Sequence, residues 1–401
     1  FIGIQNYIQA QRIDSLLTIL DENYPQEKIH LHIDKLYYNP GETIWFKAYI
    51  TADNLPTALS KTCYAELIDE KGTILQRKMM PVLESGAASN FELPDTLHSS
   101  KIFIRAYTSW MLNFDSSLLT FLPIHIIPVK PLTKKPEVTT VYTLTLFPEG
   151  GDLVQDINSI VAFKATDQEG IPINVSGNIV DDKGKQMAIF KSLHDGMGYF
   201  SLQPQAGEKY KAVWKDKKGM QHETPLPEAK NAGLVLGVAN IANQLQYTLK
   251  RSENAPQAST IYYVVAQMHQ RLVYSAKINL SKKSSVTAPI LKDSLPNGVL
   301  QLTIFNEEQI PIAERVIFID NNSYYFITKR SRNVLQVDVG NNLLTNLSVA
   351  VTDAGINPVT NNESNIYTQL LLSSDLKGYI FNPAYYFSSD EDSIKQHLDL
   401  V

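Results

Sequence analysis

Lys28-Ile29-His30-Leu31-His32-Ile33-Asp34 sets apolar Ile29, Leu31 and Ile33 against polar Lys28, His30, His32 and Asp34. A period of two is the signature of a strand with one face buried. Asn39-Pro40-Gly41-Glu42 supplies turn chemistry, and Thr43-Ile44-Trp45-Phe46-Lys47-Ala48-Tyr49-Ile50 reads as the next strand. Short strands parted by Gly, Pro, Asn and Asp clusters then recur to residue 127, which is the pattern of an all-β sandwich. Upstream the period changes. Ile4, Ile8, Ile13, Leu16, Leu17 and Leu20 recur near every 3.6 residues, which predicts a helix ending before Pro25.

Downstream, Pro128-Val129-Lys130-Pro131-Leu132-Thr133-Lys134-Lys135-Pro136 reads as an extended linker. Strand patterning resumes at Tyr142-Thr143-Leu144-Thr145-Leu146-Phe147, with further boundaries near Pro225-Leu226-Pro227 and Asp320-Asn321-Asn322. An internal repeat supports the division. Phe46-Lys47-Ala48 matches Phe163-Lys164-Ala165 at an offset of 117 residues. Leu67-Ile68-Asp69-Glu70-Lys71-Gly72 matches Ile179-Val180-Asp181-Asp182-Lys183-Gly184 at 112, and Phe91-Glu92-Leu93 matches Phe200-Ser201-Leu202 at 109. Kept order with slowly drifting offsets is what two copies of one domain with different loops produce.

The expected organisation is a helix over 1–24, sandwiches over 25–129, 141–227 and 228–320 with a linker at 130–140, and a partial fourth sandwich over 321–401. That fourth unit would begin with Tyr324-Tyr325-Phe326-Ile327 and include Leu347-Ser348-Val349-Ala350-Val351-Thr352-Asp353, with a helical segment over 364–374. Ser389-Asp390-Glu391-Asp392 ahead of Ile394, Leu398 and Val401 predicts a helix start, and the chain is expected to be part of something longer.

Composition removes several classes of function. The 401 residues carry 36 Lys and Arg against 41 Asp and Glu, a net charge of −5, which offers no footprint for nucleic acid. No apolar run is long enough to predict a membrane span. The single Cys63 excludes an intrachain disulfide, a redox pair and a cysteine-based zinc site.

His30 and His32, with Asp34 on the same strand face, could begin a metal site if another element supplied a ligand; a partly exposed strand face explains them more simply. His194-Asp195-Gly196-Met197-Gly198 places a His beside an Asp, but reads first as a glycine-defined turn. Ser192 and Ser201 are the nearby hydroxyls, and there is no Gly-Xaa-Ser-Xaa-Gly elbow. Gly196-Met197-Gly198 lacks the third glycine and following helix of a dinucleotide loop. Cys63 lies in the strand pattern Thr62-Cys63-Tyr64-Ala65-Glu66-Leu67 and is expected to be a buried thiol. Trp45, Tyr37, Tyr38, Tyr107 and Trp110 could form a sugar platform, though on alternating strands such residues more often pack the core. No catalytic, cofactor or metal residue is assigned.

The line from Lys28 to Lys47 resembles the opening of a macroglobulin-type domain of the α2-macroglobulin and complement families, through Asp34, Lys35, Tyr38, Pro40, Gly41, Thr43 and Phe46. Leu347 to Asp353 is similar to the line that ends a later domain of such proteins. A narrower resemblance is to large cell-envelope proteins of Gram-negative bacteria. It rests on Phe103-Ile104-Arg105-Ala106-Tyr107-Thr108-Ser109-Trp110-Met111, Phe147-Pro148-Glu149-Gly150-Gly151-Asp152-Leu153, His194 to Gly198, and Ser374-Asp375-Leu376-Lys377-Gly378-Tyr379-Ile380. Such proteins often continue into carboxypeptidase-regulatory-like or TonB-receptor plug-like regions.

The resemblance implies tandem immunoglobulin-like, macroglobulin-type sandwiches in the periplasm or at the outer membrane. It implies a non-catalytic interaction or scaffold role, with an outer-membrane barrel or lipoprotein as partner and no cofactor. Two alternatives stand beside it, a protease inhibitor and a polysaccharide-binding or polysaccharide-degrading protein. Thioester capture is excluded, because Cys63 is followed by Tyr64-Ala65-Glu66-Leu67 and not by the Xaa-Glu-Gln that the chemistry needs. Residues 355–365 form a polar loop that a protease could cut.

Overall fold

Alternation decides the architecture. In Lys101–Thr108 every second side chain is buried, and the same holds through Thr43–Ile50 and Ser159–Ala165. Each such strand has one apolar face to cover, and two sheets packed face to face cover both. The computed structural model describes residues 13, 15–97, 99–127, 140–241, 243–255, 260–321, 327–338, 345–353, 355 and 363–401. The chain is all-β, with tandem immunoglobulin-like sandwiches and a few short helices. The expected linker at 130–140 falls almost wholly outside the described residues, as do Tyr324-Tyr325-Phe326 and most of loop 355–365. Of the expected first helix, residues 15–23 are described and helical.

In the first sandwich, one sheet joins Glu27–Ile33, Thr43–Ala52 and Gly86–Glu92, with the short Leu55–Pro56 beside it. The facing sheet runs in the order Ile74–Pro81, Thr62–Asp69, Lys101–Thr108, Thr120–Ile126 and Tyr37–Tyr38. The second sandwich pairs Tyr142–Pro148, Ser159–Asp167 and Met197–Leu202 against Gln186–Lys191, Ser176–Asp181, Tyr210–Lys215 and Gln221–Pro225. The third pairs Leu234–Ile241, Gln244–Arg251 and Ser285–Leu291 against Arg271–Asn279, Ile261–Met268, Gly298–Phe305 and Pro311–Ile319.

Leaving the two-residue strands aside, all three share one topology. The first, second and fifth strands form one sheet; the fourth, third, sixth and seventh form the other, in that order. The sequence repeat falls on equivalent places. Phe46 and Phe163 lie on second strands, and Phe91 and Phe200 on fifth strands. Asp69 and Asp181 each open the hairpin between the third and fourth strands. In both, one carboxylate oxygen accepts from the N–H groups two and four residues on. Gly72 and Gly184, at φ +83° and +81°, complete the turn. Asp167–Gly170 and Asp216–Gly219 repeat the device.

Each sandwich has its own core. Ile29, Phe46, Cys63 and Ile104 belong to the first, Phe163, Ile179, Phe200 and Trp214 to the second, and Leu236, Tyr247, Val264 and Leu302 to the third. A fully buried side chain of this size contributes about 1.5–3 kcal/mol.

Residues 321–401 depart from expectation. Ile327–Ser331 and Val334–Asp338 form a two-stranded sheet with no further strand among the described residues. Leu347–Asp353, expected as a strand, joins no ladder among the described residues. Beyond it the chain turns helical at Ile366–Thr368, Gln369–Ser373, Pro383–Phe387 and Asp392–Leu398. Among the described residues these pieces build no sandwich of their own. They lie against the other three.

Candidate functional site: the junction of the three sandwiches

The C-terminal segment, residues 363–401, bonds to every sandwich. Its first helical turn starts on a capping box: the Asn365 side chain accepts from Thr368 N–H, and the Thr368 hydroxyl answers Asn365 N–H. The helix then widens to a π turn over Gln369–Ser373, closed by Ser374 N–H to Gln369 C=O at 3.0 Å. Lys28 donates to Leu370 C=O at 3.0 Å and to Asp375 at 2.7 Å. Thus the π turn and the strand Glu27–Ile33 are bound by groups about 340 residues apart.

This is where His30 and His32 fall. His30 Nδ1 meets Gln369 Oε1 at 2.9 Å, and Gln369 Nε2 donates to Ile29 C=O at 3.1 Å. His32 Nδ1 meets Ser348 Oγ at 2.5 Å. The strand face expected to be partly exposed is therefore covered: Lys28 is 6% exposed and His30 8%. Burial lowers the His30 pKa to about 4, with the Gln369 hydrogen bond opposing and His32 adding to the shift. Burial lowers His32 as well, against the pull of Asp34. Each imidazole is occupied by a neutral partner, and neither faces a third ligand among the described residues.

His194 to Gly198 forms the expected turn. Asp195 and Gly196 take φ of +39° and +71°. A Cβ on Gly196 would stand 2.3 Å from Ala165 C=O, so only glycine fits. The His194 ring stacks on Tyr385 at 4.2 Å and on His397 at 4.4 Å, and Tyr385 Oη bonds His397 Nδ1 at 2.8 Å. His194 Nε2 lies 3.1 Å from Asp195 Oδ2, without hydrogen-bond geometry. Ser192 bonds Val175 and Ser201 bonds Asn158, so neither hydroxyl serves His194. The motif joins the second sandwich to the C-terminal segment.

The third sandwich completes the junction. Arg315 Nη2 pairs with Asp399 at 3.2 Å, and Arg315 Nε stands 4.0 Å from Glu149 of the second sandwich. Glu149 also accepts from Val238 N–H at 2.9 Å. Burial raises both carboxyls above the ordinary range, while Arg315 restrains each. Phe387 packs edge-on against Phe318 and Tyr367. Glu149, Val238, Arg315, Phe318 and Asp399 border a cleft of about 590 Å³ between the second and third sandwiches. A second cleft, of about 630 Å³, lies between the first and third beside Lys28, Asp53 and His269. There Asn54 bonds His269 Nε2 at 2.7 Å, and Arg271 reaches Asp21 and Asp53.

The remaining candidates are dispersed. Cys63 is fully buried, and burial pushes its thiol up to about 12, with Glu27 adding to the effect. A thiol so protonated is a packing group. Tyr38 is buried on Asp34, Tyr107 is bonded to Glu66, Trp110 donates to Pro25 C=O, and Trp45 is exposed on the opposite sheet from Tyr107. They do not form one platform. Two buried carboxylates escaped the sequence reading. Glu27 accepts from Thr57, Ser60 and Thr108. Glu66 takes Arg77, Arg105 and Tyr107; burial opposes its ionisation, but these donors outweigh it and hold the carboxyl below its usual range. The acidic trio Asp181, Asp182 and Glu208 is also committed, Asp181 to its turn and Glu208 to Lys183. No helix among the described residues is long and apolar enough to cross a membrane.

No known protein family matches the sequence, and no curated protein matches it. Among solved structures, a mutant of Salmonella α2-macroglobulin overlaps at 9% identity, over 77% of this chain and 24% of that one, with a TM-score of 0.24. Escherichia coli α2-macroglobulin activated by porcine elastase overlaps at 10% identity, over 76% and 32%, with a TM-score of 0.25. The BSP domain of a biofilm-associated protein overlaps at 10%, over 78% and 70%, also at 0.25. The chain spans roughly a quarter to a third of the macroglobulins' length. At these TM-scores the overlap carries no argument, and the architecture stands on the sheets and cores described above.

Proposed function

We propose that the chain is a non-catalytic, extracytoplasmic interaction or scaffold module of macroglobulin type. Its partner would be another protein of a Gram-negative envelope, an outer-membrane barrel or a lipoprotein. One observation carries this reading. The side chains best suited to chemistry are spent on structural contacts: His30, His194 and His397 tie the first and second sandwiches to the C-terminal segment, and His32 is bonded to Ser348. A rigid array of domains presents surface, and that is the usual use of tandem sandwiches. The macroglobulin-like line from Asp34 to Phe46 supports the type, and the lack of a thioester sequence removes covalent capture from it.

Affinity purification of the tagged protein from detergent-solubilised envelopes tests the proposal. A stoichiometric barrel or lipoprotein supports it. A tightly held protease replaces it with an inhibitor. Recovery of the protein alone from the cytoplasmic fraction overturns it.

A further inference from the structure

We propose that the outer face of the five-stranded sheet in the first sandwich docks a protein surface that presents carboxylates among apolar side chains. The inference deepens the interaction reading above and rests on it.

Alternation places the residues. Cys63, Ala65 and Leu67, with Ile102, Ile104 and Ala106 on the neighbouring strand, point into the core. Their alternates point out. The register sets Met79, Tyr64 and Tyr107 side by side in one row, and Arg77, Glu66, Arg105 and Phe121 in the next. The phrase Phe103-Ile104-Arg105-Ala106-Tyr107 therefore sends Phe103, Arg105 and Tyr107 to this face. Met79 is 71% exposed and Phe121 52%. Tyr64 and Tyr107 stack with ring centroids 5.4 Å apart, and Arg105 lies over Tyr107. Tyr, Phe, Met and Arg are the side chains enriched where proteins meet.

The second row is a clamp. The Glu66 side chain has no exposed surface. Arg77 holds its Oε1 through Nε at 2.7 Å and Nη2 at 2.6 Å. Arg105, on the strand to the other side, holds Oε2 through Nε at 2.7 Å and through Nη2. One carboxylate thus positions two guanidiniums and neutralises only one. Nη1 of each has no partner among the described residues, and the Arg77 side chain is 58% exposed. A planar fork already held in place loses little freedom when a second carboxylate arrives.

Charge selects the occupant. The outward positions of the five strands carry Arg77, Arg105 and Lys101 against Glu66 alone, in a chain whose net charge is −5. Asp69 and Glu70 stand at the end of the sheet, bonded to their own hairpin and to Ser100. An acidic surface is attracted here and a basic one repelled. The neutral groups favour a protein over a polysaccharide. Sugar hydroxyls call for amides and carboxylates as partners; this face has no Asn or Gln, its one carboxylate is committed, and Met79 and Phe121 match apolar side chains.

The test selects displayed random peptides on the 401-residue chain and measures the winners by fluorescence anisotropy. Winners are expected to combine Asp or Glu with apolar residues and to bind saturably, more weakly as salt is raised. Met79→Glu and Phe121→Glu, at exposed positions outside the clamp, are each expected to weaken them about tenfold or more with unchanged thermal unfolding. Ile189→Glu, exposed on the second sandwich, is expected to change nothing. Winners without acidic enrichment overturn the charge selection. Winners indifferent to both substitutions, or no saturable winner, overturn the face. Polygalacturonate binding that the two substitutions abolish makes an acidic polysaccharide the occupant and overturns this one. Self-association in sedimentation that they abolish makes it a second copy, with the same result. Envelope partners recovered unchanged by the Met79→Glu chain retire the face and leave the interaction reading standing. Acidic winners lost on both substitutions, with no envelope partner recovered, support the face and retire the envelope reading.

Discussion

Acidification should free the C-terminal segment from the first sandwich, and His30 sets much of the scale. Its pKa falls from 6.5 to about 4 through burial against Gln369. The docked state therefore binds fewer protons than the released state, and docking is favoured fully above pH 6.5 and lost as pH falls towards 4. At pH 5 the released imidazole is about thirtyfold more protonated than neutral, while the docked one is still mainly neutral. The difference is about 2 kcal/mol, or a factor of about 30 in the docking equilibrium, from this one group. His397, within the segment itself, is shifted in the same direction, chiefly by burial, and adds to the effect. Hydrogen exchange of the amides in 366–375, followed from pH 7.5 to 5 and corrected for the intrinsic rate, measures the opening directly. His30→Asn cannot take up the proton, so its exchange should lose a large part of the pH slope. Retention of the full slope in that variant, or an NMR titration placing His30 at or above 6.5, would refute the reasoning.

Three further perturbations probe the same joint. Gln369→Ala leaves the buried His30 Nδ1 without its partner, while Ile29 C=O keeps the Thr120 hydroxyl, and should cost about 1–3 kcal/mol of docking, read as faster exchange over 366–375 at pH 7.5. Arg315→Met takes the counter-charge from Asp399 and from Glu149, which keeps only Val238 N–H; discounted for the partial exposure of Asp399, the loss should be about 2 kcal/mol at pH 7. Both carboxyls already have raised pKa values, so they take up protons early on acidification, and differential scanning fluorimetry should show the deficit shrinking by pH 4.5. Gly196→Ala forces a Cβ against Ala165 C=O at positive φ and should lower the melting temperature of the second sandwich by the equivalent of about 2–3 kcal/mol.

The sandwiches were legible because their signals are local. A period of two spans a few residues, and the Asp-Xaa-Xaa-Gly hairpin closes within five. The repeat could be read for the same reason: Phe46 and Phe163 do one job at one place in the same strand. The junction was not legible, because its contacts join Lys28 to Asp375 and His194 to His397. Alternation told that Lys28, His30 and His32 share a face, but not what covers it. The His-Asp pair at 194–195 has the composition of chemistry and the glycines of a turn, and a turn is what forms; its stacking partners, Tyr385 and His397, lie beyond any sequence window. Leu347–Asp353 shows the opposite failure. Its pattern is that of a strand, yet pairing is a property of the neighbour as well as of the pattern.

The late position of the joining segment has a consequence for biosynthesis. A ribosome makes the three sandwiches first, and each has its own core on which to fold as it emerges. Lys28, His30, His194 and Arg315 must then wait, uncovered, until residues 363–401 appear. At about 5–20 residues per second, the roughly 80 residues after the third sandwich take about 4–16 s to make. In that interval the domains are beads on a string, and the junction is open to whatever meets it. The array can thus assemble only after its joining segment has been made, and until then a chaperone or a translocating channel meets the separate parts.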